Sequence, residues 1–309
     1  MTRGLWAVFA VVGGALLLGG CQAPRPAVSV DPEIARLSGA ARSAYLAGAP
    51  DRAIPLYRQA LTRAELGDAS DEIARNAYNL AVSLAATGGL AEAEALLDES
   101  LAASGLAGEN AGNAYLAKAR LARTRDRSDA ALKAAQAALR APEEGNGTAS
   151  GRAQAHLLIA EICEGEGRRD EAWSHMGQAR NELKRAAAAP VLMADAERVE
   201  ATLRMSAGAP AQAGPRFDAQ AEWLKRAGKF REMAAALRSA GEAYEASRAT
   251  DAAADRYLRA ARSLYAAGDR PASAELLRRT ENLQPAVGNS LLRTRIELLA
   301  RRLSAGQTP

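Results

Sequence analysis

Between Leu237 and Ala261 the apolar and small residues fall on two faces of helical period. Leu237, Ala240, Gly241 and Tyr244 lie at i, i+3, i+4 and i+7, one face of a first helix. After a break near Ala249–Thr250, Ala253, Tyr257, Ala260 and Ala261 lie at i, i+4, i+7 and i+8, one face of a second. Small residues stand where the two helices would cross, with tyrosines beside them. Ala and Gly at a crossing let helix axes approach to the short end of the usual ~8–10 Å range. The pattern predicts a tightly crossed helical hairpin.

The hairpin recurs. The small residue that begins the packing face of each second helix is Ala53, Ala93, Ala131, Ala172, Ala213 and Ala253, at separations of 40, 38, 41, 41 and 40. A fixed period in this range marks a solenoid. Five residues before each anchor stands a turn residue: Gly48, Gly88, Asp126, Gly167, Gly208 and Arg248. Gly is expected where a helix ends through a left-handed residue. Seven residues after each anchor come Ala60, Ser100, Ala138, Ala179, Gln220 and Ala260, small in all but the fifth copy, which is the poorest match. Ser273, Leu277, Thr280 and Pro285 predict one more second helix half a period on, with Gly268 as its turn, so that helix 251–267 would serve two pairs. Ala286–Ser304 carries Leu292, Ile296, Leu299 and Leu303 as a stripe and is expected to be a cap with a polar outer face. At the other end, Asp31-Pro32-Glu33 supplies a cap acceptor, a Pro at the first position and an acid near the positive helix end. Pro142–Gly151 is the longest break in the pattern and is expected to be a hinge.

These residues resemble the tetratricopeptide repeat family from about Asp31 to Ser304. HEAT repeats share the period, but they give no reason for Gly at the turn and Ala at both crossings. The period here is longer than the family's usual one, no Trp stands in the first helices at the usual place, and a closing Pro occurs only as Pro142 and Pro285. The resemblance implies an all-α fold, a right-handed α-solenoid of about six to seven helix pairs with a ~40-residue period. It also implies that the first helices line a concave groove that holds a partner protein or peptide. Carried onto this sequence, the lining positions hold Arg42, Tyr45, Arg75, Tyr78, Leu116, Arg120 and Arg123 in the first three pairs. Leu157, Glu161, Glu164, Arg198, Met205, Arg238, Glu242 and Glu245 follow. The expected groove has a basic, aromatic end and an acidic end, which would orient an extended peptide or a partner helix.

Ahead of the repeats, Met1–Gly20 has Arg3 as a positive region and an apolar run from Leu5 to Leu18. That run is too short to span the ~30 Å hydrocarbon core and fits a signal peptide. Leu18-Gly19-Gly20-Cys21 resembles the lipobox of bacterial lipoproteins, which implies lipidation at Cys21. In the Gram-negative members an Asp after the Cys favours the inner membrane. Gln22 at that place implies a cell-envelope protein anchored to the outer membrane and facing the periplasm. The chain then divides into a leader (1–20), lipidated Cys and flexible tether (21–30), solenoid (31–285), capping helix (286–304) and disordered tail (305–309).

Composition and chemistry narrow the function further. A quarter of the residues are charged, but the net charge is only +4 and no nucleic-acid motif accompanies it, so no nucleic-acid partner is expected. Besides Cys21 the sequence has one other cysteine, Cys163, on the packing face of its helix and expected to be a buried thiol. His156 and His175 are its two histidines. With no phosphate loop or nucleophile elbow, no enzyme, cofactor or metal is expected. The expected partner is an envelope protein or peptide, with membrane attachment through the lipid. The alternative is a small-ligand or glycan sensor in which binding changes solenoid curvature about 142–151.

Overall fold

The computed structural model describes residues 31–103, 108–141, 148–186 and 189–304. The leader, the lipobox with Cys21, the tether and the tail at 305–309 lie outside the described residues. Fourteen α-helices follow one another in the described part: α1 (Pro32–Leu46), α2 (Pro50–Leu66), α3 (Ser70–Ala86), α4 (Leu90–Ala103), α5 (Gly108–Thr124), α6 (Ser128–Arg140), α7 (Thr148–Gly165), α8 (Arg169–Arg185), α9 (Pro190–Ser206), α10 (Pro210–Arg226), α11 (Phe230–Ala246), α12 (Thr250–Ala266), α13 (Arg270–Leu283) and α14 (Ser290–Ser304). None of the described helices is long and apolar enough to cross a membrane.

The small-residue anchors are where the helices meet. Ala53, Ala93, Ala131, Ala172, Ala213 and Ala253 are all fully buried. At the second crossing Ser100 is buried too, and its hydroxyl donates to the Ala74 carbonyl at 2.7 Å, so the polar group costs little there. In the fifth copy Gln220 is only half-buried and Ala221 beside it is buried, while Ala213 and Phe217 keep the packing register of Ala53 and Tyr57 in α2.

All six predicted turn residues have positive φ, including the non-glycines Asp126 (54°) and Arg248 (63°). The chain reverses in three residues each time. At the first turn the Ala49 N–H returns to the Ala44 carbonyl at 3.0 Å, and the same six-to-one bond closes the turns at Ala209 and Ala249. The connections between pairs are built the same way: Asp68, Gly228 and Gly268 also have positive φ. Within α1–α4 and α9–α13 the true unit is therefore a 20-residue helix plus turn, half the period read from the anchors. This explains how α12 can serve two pairs: it packs on both α11 and α13.

Two boundaries differ from expectation. The break at 142–151 is shorter, because α7 already begins at Thr148; residues 142–147 lie outside the described residues. The capping helix starts at Ser290 rather than Ala286. Gln284–Ala286 form a 3-10 turn, the Gly288 N–H donates to Asp251 at 2.8 Å, and the Asn289 side chain caps the Leu292 N–H at 3.1 Å. Leu292, Ile296 and Leu299 are buried as predicted. At the N-terminus Asp31 caps α1 through the Glu33 N–H at 2.9 Å, with Pro32 first in the helix.

Candidate binding groove

From α1 to α9 the odd-numbered helices pack side by side as well as against their hairpin partners. Their shared face is where the predicted lining residues come together. On α1, Arg42 is exposed without a bonding partner among the described residues, and Tyr45 is half-buried beside it. On α3, Tyr78 is half-buried, and burial pushes its phenol pKa up, with Arg120 opposing the shift and Tyr45 adding to it. Those electrostatic links place Tyr45, Tyr78 and Arg120 in one neighbourhood. Neither the Tyr45 nor the Tyr78 hydroxyl has a hydrogen-bond partner among the described residues. Arg75, by contrast, is spent on a salt bridge to Glu72 within its own helix.

Tyr78 and Arg120 stand at the rim of a cavity of about 210 Å³ between α3, α4 and α5. Its wall is aliphatic, with Val82, Leu90, Leu97 and Leu121. Arg120 reaches across to α7, donating to the Gln154 side-chain oxygen at 2.9 Å. An apolar cavity edged by a guanidinium and free phenols is suited to an aliphatic side chain carried next to an acceptor or an anion.

Three expected lining residues are not on this surface. Leu116 is 3% exposed and Leu157 4% exposed, because both are knobs of the core between α5, α7 and their neighbours. Met205 is likewise part of the packing around Phe217. The expected acidic end is also corrected. Glu161 is held between Arg123 of α5 and Arg198 of α9, so it bridges three odd helices and presents little free charge. Glu242 pairs with Arg238 and Arg279, each at 3.1 Å. Glu245 pairs with Arg279 at 3.0 Å and accepts the Tyr257 hydroxyl at 2.7 Å. Glu164 remains half-buried without a bonding partner among the described residues.

Sequence reading missed a motif in the C-terminal half that occurs twice. Tyr244 of α11 packs its ring on Gly214 of α10, where an added Cβ would lie 2.9 Å from the ring. Its hydroxyl donates to Asp218, one turn beyond that glycine, at 2.8 Å. Arg256 of α12 then pairs with Asp218 at 2.8 Å and covers the ring at 5.0 Å. Tyr257 repeats the arrangement one helix later with Gly241, Glu245 and Arg279, the last 4.7 Å above its ring. Burial and the carboxylate bond push the Tyr244 pKa up to about 12, and that of Tyr257 well above its ordinary value. The sequence signal was there: Gly-x-x-x-acid at 214–218 and again at 241–245.

The two histidines, considered separately in the sequence, touch each other. His156 of α7 and His175 of α8 share a hydrogen bond between their Nδ1 atoms at 2.9 Å, so one donates and the other accepts. Burial, then the neighbouring His175, lowers the His156 pKa to about 4. Cys163 is fully buried, and burial raises its thiol pKa.

No protein-family model and no curated protein matches the sequence. Solved structures do match. The Rap protein in complex with competence and sporulation factor aligns with a TM-score of 0.55 at 16% identity, over 89% of this chain and 88% of that one. The apo form of the quorum sensor NprR from B. thuringiensis gives 0.55 at 13% identity, over 81% and 76%. BtubC from P. vanneervenii gives 0.51 at 16% identity, over 84% and 92%. The chain shares their fold: it is an all-α solenoid of tetratricopeptide-like helix pairs. At these identities the likeness is one of architecture, and the solenoid's chemistry has to be read from its own residues.

Proposed function

We propose that this solenoid is a non-catalytic scaffold, anchored by lipid at Cys21 to the periplasmic face of the outer membrane, that holds an envelope protein or peptide. The observation that carries the reading is the cavity lined by Tyr78 and Arg120, with Tyr45 close to Tyr78. Free donors and an aliphatic hollow on one face favour an extended segment that carries an acidic residue next to a Leu, Ile or Val. Such contacts combine a buried apolar anchor with a charge-assisted bond, the pairing found at binding hot spots. Among the structures sharing the fold, the Rap protein is itself a complex with a factor, which is in keeping with a ligand-holding role.

Affinity purification of the full chain from envelope membranes tests this. Proteins captured by the wild type should fall at least about tenfold with Arg120→Glu plus Tyr78→Phe, and should leave the membrane fraction with Cys21→Ser. Unchanged capture by the double variant removes the groove from the account, and unchanged fractionation of Cys21→Ser removes the anchor.

A further inference from the structure

The exposed side of the capping helix is mainly polar, as a terminal repeat requires, but two leucines interrupt it. Leu291 and Leu298 of α14 are 57% and 50% exposed. They lie seven residues apart, hence on one flank of the helix, and Arg295 and Arg302 continue the same flank at helical spacing. Arg293, Arg295, Arg301 and Arg302 are all exposed, and none has a bonding partner among the described residues. The one acid of the helix, Glu297, faces the other flank and accepts a bond from Gln284 at 3.3 Å. Two carboxylates of α12, Asp251 and Asp255, border a hollow shared with Leu291 and Arg295. Both are engaged elsewhere, Asp251 by the Gly288 N–H and Asp255 by Arg256 and Arg259. Elsewhere in the C-terminal half, Arg238, Arg256 and Arg279 each have a carboxylate.

From this geometry we infer that α14 is a second membrane contact, which docks on an anionic phospholipid surface. Leu291 and Leu298 enter the headgroup boundary while the arginines engage lipid phosphates. Charge complementarity decides the occupant. The guanidiniums of Arg295 and Arg302 on the leucine flank, with Arg301 beside them, repel a second copy of the same face, whereas an anionic bilayer supplies phosphate oxygens that guanidinium binds in bidentate fashion. The surface is a helix ridge rather than a groove, and a ridge suits a deformable, extended lipid surface. This contact is independent of the binding groove on the odd helices. Together with a tether at the opposite end of the chain, it would lay the solenoid along the membrane.

Among the described residues the buried core lies within 32–303, so a chain of residues 22–309 keeps all of it and removes the lipid from the measurement. Co-sedimentation with vesicles of phosphatidylcholine containing about a third phosphatidylglycerol, against phosphatidylcholine alone, reads the contact. The account expects binding only to the anionic vesicles, weakened by added salt. It expects a loss of about tenfold or more in Leu291→Asp plus Leu298→Asp, and separately in Arg295→Glu plus Arg302→Glu. All four side chains are exposed, and far-UV melting should confirm that the variants stay folded. Equal binding to neutral vesicles, absence of binding, or no change in either variant overturns it. A concentration-dependent dimer in solution that the leucine variant abolishes also overturns it and assigns the face to a second copy.

Discussion

Tyrosines and arginines occur in both halves of the odd- and even-helix stack, yet they are used in opposite ways. In α10–α13 the hydroxyls of Tyr244 and Tyr257 are each bonded to a carboxylate, each of those carboxylates to an arginine, and each arginine lies over the ring it serves. Polar and aromatic groups there are consumed in holding three consecutive helices together. In α1–α5 the Tyr45 and Tyr78 hydroxyls and the Arg42 guanidinium are left without partners among the described residues, and Tyr78 lines an open aliphatic cavity. The same residue types are thus mortar in one half and left with open bonds in the other, where we propose that they bind. Residue type alone does not mark a hot spot; what matters is whether its bonds are already made.

The largest effect is expected at the boundary of the two halves. His156 titrates near 4 in the folded chain against an ordinary value of about 6.5, so the unfolded chain takes up the proton first. The stability this burial supplies is complete above about pH 6.5 and is lost as the pH falls toward 4, by on the order of 3 kcal/mol. Denaturant unfolding at pH 7 and pH 4.5 should show the loss, and His156→Gln should flatten the slope relative to wild type. A parallel slope in the variant would assign the acid sensitivity to the carboxylates instead.

Next in size is Gly241→Leu. The Tyr257 ring would meet even a Cβ at 2.5 Å, and it cannot retreat while Glu245 holds its hydroxyl and Arg279 covers its face. Overpacking of this kind should cost about 2–3 kcal/mol, seen as a lowered midpoint in urea, without loss of partner binding below the transition. A matched pair of smaller changes sharpens the contrast. Tyr257→Phe removes a buried hydroxyl bonded to a carboxylate and should cost about 1–2 kcal/mol. Tyr78→Phe removes one without a partner and should leave stability within about 0.5 kcal/mol, while weakening partner capture severalfold. Equal stability costs for the two would erase the distinction.

Much of this was legible in the chain, for identifiable reasons. Ala and Gly at crossings are steric requirements, so the anchors at 53 through 253 were found to the residue and are fully buried. Left-handed turn residues were found where they were Gly, and also at Asp126 and Arg248, because the spacing carried them. Asp68 and Gly228 lie outside the anchor spacing, which marks one turn per pair, although in the regular stretches both connections are the same turn. Leu116 and Leu157 were misplaced because a solenoid helix is packed on more than one side, and apolar residues beside the crossing face are buried by the next helix rather than left to line a groove. What could not be read was pairing across helices. Glu161 between two arginines and His156 against His175 join residues 19 to 38 positions apart, where no local spacing speaks.

The central claim, that binding is carried by the open N-terminal lining and not by the closed C-terminal one, is tested most directly by matched charge reversals. Partner capture from envelope membranes by Arg120→Glu plus Tyr78→Phe should be compared with capture by Arg238→Glu, both in chains shown to be folded. The account predicts a loss of at least about tenfold for the first and none for the second. Equal loss in both, or loss only with Arg238→Glu, would contradict it.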